Sequence, residues 1–181
     1  TFLLRRRALH AGENDWPMWG GTPSRNMVAE ANGIPTEIVP GEIDPEKETV
    51  DLSKAKNILW TAKLGSQTYG NPVVANGKIL VGTNNESPRD PEQKGDRGNL
   101  LCFDEKTGDY LWQLIIPKLG AGKVSDWEFV GLCSSPAIVG DKAYIVTNRG
   151  ELVCLDLNGM ANGNDGPFNL RLRHLSFNTS S

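Results

Sequence analysis

The 181-residue chain has little of what membrane spans, disulfide frameworks or nucleic-acid surfaces are made from. No apolar run approaches the roughly 20 residues that a membrane-spanning helix requires. Three cysteines, an odd number without C-x-x-C spacing, indicate neither a zinc site nor a complete disulfide framework, and read as small buried apolar residues. Positive charge is not in excess: the net charge is -3, and the only basic cluster, Arg5-Arg6-Arg7, is short and terminal, so no nucleic-acid partner is expected. The two histidines, His10 and His174, sit in the terminal segments. Ser134-Ser135 has no G-x-S-x-G elbow and no Walker-type glycine loop occurs, which removes the common hydrolase and nucleotide-binding readings. Helical periodicity is hardly visible.

What is present is a soluble, globular composition, 38% hydrophobic and 23% charged, in a chain long enough for a real core. Residue 1 is Thr, and "TFLLRRRALHA" lacks the apolar core of a signal peptide, although it can follow one; a processed N-terminus or a fragment is expected.

Self-similarity organises the chain. "NPVVANGKILVGTNN" from Asn71 aligns with "SPAIVGDKAYIVTNR" from Ser135, so that Pro72, Lys78 and Thr83-Asn84 meet Pro136, Lys142 and Thr147-Asn148 at an offset of 64. "GNLLCFD" from Gly98 then aligns with "GELVCLD" from Gly150 at an offset of 52. The difference is a twelve-residue insertion, Glu86 to Arg97, whose proline and charge content predicts an exposed loop.

Each unit reads as short strands rich in Val, Ile, Leu and Tyr, separated by Gly, Asn and Asp turns. Strands are predicted over 69–75, 78–83, 99–103 and 109–115, then over 132–139, 142–147 and 151–155. Alternation predicts a last strand over 168–172, and an earlier one over 58–64 that carries Trp60. Four short antiparallel strands repeated about every 50 residues describe a β-propeller blade, a sheet that cannot bury both faces until neighbours pack on it. The fold class is therefore all-β, a propeller of four-stranded antiparallel blades, with about two blades plus a leading strand supplied here. The organisation expected is an N-terminal tail over 1–14, a lead-in segment over 15–57, the leading strand and first blade over 58–116, the second blade over 117–173 and a C-terminal tail over 174–181.

In the first unit, "LLCFDEKTGDYLW" resembles the docking motif A-x-D-x-x-T-G-x-x-x-W of the pyrroloquinoline-quinone-type (PQQ-like) repeat propellers. Cys102, Asp104, Thr107, Gly108 and Trp112 match it in spacing, with Cys in place of Ala. The second copy keeps Cys154 and Asp156 but loses the Thr-Gly turn and the Trp, which leaves its docking contact open. "DWPMWGG", Asp15 to Gly21, is similar to the segment that leads into such propellers, and Trp60 to an outer-strand tryptophan of a preceding blade. Propellers close with about 4 to 8 blades, so a fragment or one part of a split propeller is expected.

Alternating connections bring the second-to-third strand loop and the blade-to-blade loop out on one side. That side is elaborated, whereas Asn76-Gly77 and Gly140-Asp141 opposite are minimal. Binding residues collect on long loops of a rigid scaffold, which makes Arg89, Arg97, Asp126, Trp127, Glu128 and Arg149 the candidate binding face. The competing reading has these loops solvated, with Trp127 and Phe129 filling a local core.

The resemblance offers two functions. Noncatalytic members, among them the outer-membrane protein assembly lipoprotein, act as binding scaffolds and are exported, implying an extracytoplasmic, periplasmic site and a protein or small-molecule partner. Quinoprotein dehydrogenases of the family hold the quinone and calcium on the elaborated face with an adjacent cysteine pair. Here Cys102, Cys133 and Cys154 are far apart in sequence and no ligand set matches. The loop "DLNGMANGNDG" from Asp156 fails as an EF-hand, with Ala161 where the turn needs Gly and Pro167 where the bidentate Glu belongs. A scaffold is thus the preferred reading, with no catalytic residue, metal or cofactor expected; PQQ and calcium belong to the dehydrogenase alternative.

Overall fold

The computed structural model describes residues 15–29, 33–120, 127–159 and 173–175. Two four-stranded antiparallel meanders dominate it. The first blade comprises β3 (Val73–Ala75), β4 (Lys78–Asn84), β5 (Arg97–Asp104) and β6 (Tyr110–Pro117) in that spatial order. The second comprises β7 (Ala137–Val139), β8 (Lys142–Val146), β9 (Leu152–Asp156) and β10 (Arg173–Leu175), with β7 at one edge and β10 at the other. Ahead of them lie a small hairpin, β1 (Glu42–Asp44) with β2 (Thr49–Asp51), and one 3-10 turn, Leu52–Lys54.

The innermost strands are shorter than the sequence predicts, three residues each. Pro72 and Pro136 stand just ahead of Val73 and Ala137, and a residue without an N–H opens a strand but cannot extend a ladder through itself. The outer strands are longer than predicted, since β5 and β6 run in register from Arg97↔Pro117 to Phe103↔Tyr110 with one bulge between Cys102 and Phe103. The strand expected over 168–172 lies outside the described residues; the fourth strand of the second blade is Arg173–Leu175.

Residues 58–64 depart from expectation in a more telling way. They form no ladder with any described strand, yet they keep the period-two pattern of one: Ile58, Trp60, Ala62 and Leu64 are half-buried while Leu59, Thr61 and Lys63 are exposed. Their inner side chains pack on Val81, Leu101 and Phe103 of the first blade. The segment therefore lies as the outer strand of a blade whose inner strands are not among the described residues.

Period two divides each blade into two faces. Leu80, Leu100, Cys102, Trp112, Leu114 and Ile116 of the first blade form one continuous core with Leu132, Ile138, Ala143, Ile145, Val153 and Leu155 of the second. Each Leu, Ile or Val among them contributes roughly 1.5–3 kcal/mol on burial, so this interface is the main apolar stabilisation of the pair. Backbones also come very close. A Cβ at Gly82 would sit 2.5 Å from the Leu132 carbonyl oxygen, so a side chain there would push the blades apart.

The lead-in segment ties the blades together at their inner edges. Trp16 N–H donates to the Val74 carbonyl (2.7 Å) and Val74 N–H returns the bond (3.0 Å), adding one bridge to the free edge of β3. One residue on, the Pro17 carbonyl accepts from Ile138 N–H of β7 at 2.7 Å. Proline, with no N–H to satisfy, supplies only the acceptor this position needs.

Candidate functional site

Two tryptophans make the same contact, one blade apart. Trp112, 2% exposed, lies on the backbone of Gly159, where an added Cβ would come within 2.6 Å of the indole ring. Its Nε1–H donates to the Leu157 carbonyl at 3.2 Å. Trp60 lies on Gly108 in the same way (2.5 Å to an added Cβ) and donates from Nε1–H to the Glu105 carbonyl at 2.9 Å. Both glycines have positive φ, 76° at Gly108 and 62° at Gly159, a backbone conformation that other residues adopt only with strain.

The turns that receive them are shaped by aspartates. Asp104 Oδ1 accepts Lys106 N–H and Thr107 N–H, both at 2.9 Å, and these bonds hold its carboxyl below the ordinary carboxylate range. Thr107 Oγ1–H donates to Asp109 at 2.7 Å, which closes the turn from the other side. In the second blade Asp156 Oδ1 accepts Asn158 N–H at 2.9 Å. The turn of the second copy has lost Thr, but Gly159 offers a bare backbone over which the indole lies. What the second blade does not offer is a tryptophan of its own. Cys102 pairs with Trp112 across β5 and β6, whereas the residue opposite Cys154 is Arg173.

The loop-rich side is more ordered than its composition suggests. The loop predicted as exposed, 86–97, folds against its blade through buried Asp90 and through buried Asn85 just ahead of it, whose amide donates to the Gln93 (2.6 Å) and Gly95 (3.3 Å) carbonyls. Beneath it Asn99 donates to Gln113 at 3.0 Å, both fully buried on the face toward residues 58–64. Neither amide belongs to a pattern that sequence reasoning used; the available signal was a polar residue at an inward-facing strand position.

Of the candidate binding residues, Arg89 turns inward. Its guanidinium lies 5.4 Å from the Phe103 ring centroid and 5.1 Å from that of Tyr110, and donates to the Lys63 carbonyl. Burial lowers its pKa, and burial also pushes the Tyr110 phenol up to about 12, against the opposing pull of Arg89. Arg89 is therefore a strut between the loop, the blade and residues 58–64. Arg97 is the first residue of β5, donating from Nε to the Lys94 carbonyl at 3.1 Å. Arg149 donates from Nη1 to the Lys118 carbonyl at 3.2 Å and meets Glu151 at 3.5 Å. Asp126 lies outside the described residues.

Trp127 and Glu128 remain on the surface, and Trp127 is 68% exposed. The residues around them are clamped: Phe129 N–H donates to Asp96 at 2.7 Å, Asn84 Nδ2 donates to the Phe129 carbonyl at 2.6 Å, and Lys118 donates to the Trp127 carbonyl. Lys118 and Asp96 themselves approach to 3.8 Å, mostly shielded from solvent. A shallow cavity of about 350 Å³ beside Trp127 is lined by Val130, Cys133, Ser134, Val146 and Asn148.

Chemistry on this face is limited by its donor set. Among the described residues no three of His, Cys, Asp or Glu come together to hold a metal ion. Cys102 is buried, its thiol pushed up to about 12 chiefly by burial, and the three cysteines form no disulfide with one another. No adjacent cysteine pair occurs among the described residues.

Two antiparallel four-stranded blades, packed face to face through a docked indole, define a segment of a β-propeller of the PQQ-like repeat class. The chain belongs to the family described as outer membrane protein assembly factor BamB, whose model matches residues 45–162. No curated protein matches the chain. Among solved structures it is similar to the quinohemoprotein alcohol dehydrogenase from Comamonas testosteroni, at 15% identity and a TM-score of 0.48 over 84% of this chain and 20% of that one. It is also similar to a europium-containing methanol dehydrogenase, at 16% identity and a TM-score of 0.47 over 90% of this chain and 32% of that one. The chain thus spans between a fifth and a third of the length of these structures. No helix among the described residues is long and apolar enough to cross a membrane.

Proposed function

We propose that this propeller segment is a noncatalytic scaffold, whose loop-rich face binds a protein partner in an extracytoplasmic compartment. The observation that supports this reading is Trp127, an exposed indole carried on a loop that Asp96, Asn84 and Lys118 hold in place. Binding costs less when the contacting surface is already ordered, and tryptophan is enriched among residues that dominate interface energies. Arg149 and Glu128 stand near the same surface as polar rim. The family's description points to the outer-membrane protein assembly machinery as the class of partner.

The test is titration of the chain with purified components of that machinery, by calorimetry, for the native sequence and Trp127→Ala. Saturable binding weakened by about 2 kcal/mol in the variant is the expected result; unchanged affinity would remove Trp127 from the interface. The dehydrogenase alternative is tested separately by incubation with pyrroloquinoline quinone and calcium, followed by dye reduction with simple alcohols and sugars. No turnover above background is expected, and robust turnover would reverse the order of the two readings.

A further inference from the structure

We infer that Asn84 is the positioning residue of the loop-rich face: its side-chain amide locks the connection entering the first blade to the connection leaving it, so the loop that carries Trp127 keeps its shape only while residues 65–67 keep theirs. For binding, the inference rests on the reading of Trp127 as an interface residue; the coupling itself rests on bonds. Asn84 is the last residue of β4 and is 1% exposed. Its Oδ1 accepts Ser66 N–H at 3.1 Å and Glu86 N–H at 3.2 Å. Its Nδ2 lies within reach of three acceptors: the Ser66 hydroxyl at 2.9 Å, the Glu86 carboxylate at 3.2 Å and the Phe129 carbonyl at 2.6 Å. A side-chain amide has two lone pairs on its oxygen and two N–H donors, so this one is fully used. Two backbone N–H groups facing the oxygen also fix which way round it stands.

The packing around it leaves no slack. A Cβ on Gly65, in the entering connection, would collide with Asn84 Oδ1, and one on Gly131, in the leaving connection, would lie 2.5 Å from the Asn84 backbone nitrogen. Thr83 spans the same two connections, its Oγ1 accepting Gly65 N–H at 3.0 Å and its carbonyl accepting Leu132 N–H at 3.1 Å. The leaving connection needs such a hold. Phe129 has a φ of 57°, a left-handed conformation that a bulky residue keeps only where its surroundings over-determine it. Asp96 accepts its N–H, and Asn84 donates to its carbonyl. The repeat preserves the entering half of the arrangement. Asn148, aligned with Asn84, donates from Nδ2 to the Pro117 carbonyl at 3.3 Å, and Pro117 follows Trp112 at the spacing that separates Gly65 from Trp60.

Hydrogen exchange followed residue by residue by nuclear magnetic resonance separates the two connections. Asn84→Asp is nearly isosteric and keeps an acceptor for Ser66 N–H and Glu86 N–H, but it sets oxygen against the Phe129 carbonyl. The amides of Phe129 and Val130 should then exchange roughly tenfold to a hundredfold faster, while those of Ser66, Glu86 and the β5–β6 ladder keep their native rates. Gly65→Ala displaces Oδ1 from the other side and should release Phe129 and Val130 as well, although no atom of their connection is altered. If Gly65→Ala loses the protection of the β5–β6 ladder, Asn84→Asp decides alone. Native exchange at Phe129 and Val130 in Asn84→Asp overturns the inference. So does an equal acceleration through β5 and β6, which would make Asn84 a general stabiliser. Titration of Asn84→Asp with purified components of the outer-membrane assembly machinery tells the two readings apart: with exchange released, weaker binding supports both, and native affinity leaves the coupling standing while removing Trp127 from the interface.

Discussion

Cys102 and Cys154 stand at the same position of two successive repeats, at the middle of β5 and of β9, and their surroundings differ completely. The first is sealed beneath Leu155 and the rest of the second blade; the second lies beside Tyr144 on a face that no described residue covers. A propeller blade is in this sense half a structure. Its strands follow from local alternation, but what each side chain experiences depends on whether a neighbouring blade is present.

The largest way to break that comparison is chemical. Modification of Cys102 by a thiol reagent requires the blades to separate, so in the native chain it should proceed slower than that of Cys154 and of exposed Cys133 by several orders of magnitude, roughly the folding equilibrium constant. Mass spectrometry after a timed pulse reads all three sites at once. The pH dependence has a definite sign. The folded thiol ionises near 12, above its unfolded value, so above pH 9 the unfolded state sheds a proton that the folded state keeps, and stability falls as pH rises. Labelling of Cys102 at the rate of Cys154 would mean that the first core is no better sealed than the uncovered face.

Next in size are the two docked tryptophans. Trp112→Ala removes a buried indole from a core closed on all sides and should cost roughly 3–5 kcal/mol through lost burial and a residual cavity. Trp60→Ala removes the same contact from a half-buried residue on a segment with no ladder partner among the described residues, and should cost about 1–3 kcal/mol. Denaturant unfolding of each variant, at concentrations where the chain is monomeric, measures the gap. Equal costs would mean that the Gly108 dock is as well supported as the Gly159 dock without its blade.

How much of this was legible beforehand follows the same division. The offset between Pro72 and Pro136, and between Cys102 and Cys154, carries the blade architecture, because alternation and turns are local properties that repeat. The turn from Asp104 to Asp109 is local in the same way, closed by bonds between near neighbours in sequence. The receiving turn at Gly159 was hidden because a motif read as letters treats the lost threonine as a lost function, whereas the indole needs only a bare backbone and a carbonyl. Residues 58–64 read as a strand that leads into the first blade, and a strand pattern reports a face but is silent about a ladder partner. Arg89 belongs to the candidate binding face by its place in a long loop on the elaborated side, where nothing local signals that Phe103 and Tyr110 wait beneath it. The bridge from Trp16 and Pro17 to the inner edges of both blades joins residues far apart in sequence, and no short-range pattern encodes it.

The smallest expected effect on stability sharpens the comparison between side chains that hold the blades and those that only ride on them. Trp127 matches Trp112 in size, but it is largely exposed, and the bonds that fix its loop run through the backbone of residues 127 and 129 to Lys118, Asp96 and Asn84. Removing the indole therefore leaves the clamp intact, and Trp127→Ala should change unfolding free energy by about 1 kcal/mol or less. Asp96→Ala acts on the clamp instead, freeing the Phe129 N–H and removing the carboxylate that Lys118 approaches, and should cost more than Trp127→Ala although a smaller side chain is lost. Unfolding curves for both variants, beside the partner titration, separate the roles: a stable Trp127→Ala protein that binds poorly places the indole at an interface. A destabilised one would mean that Trp127 fills a local core, and that the face owes its shape to the very side chain it was thought to present.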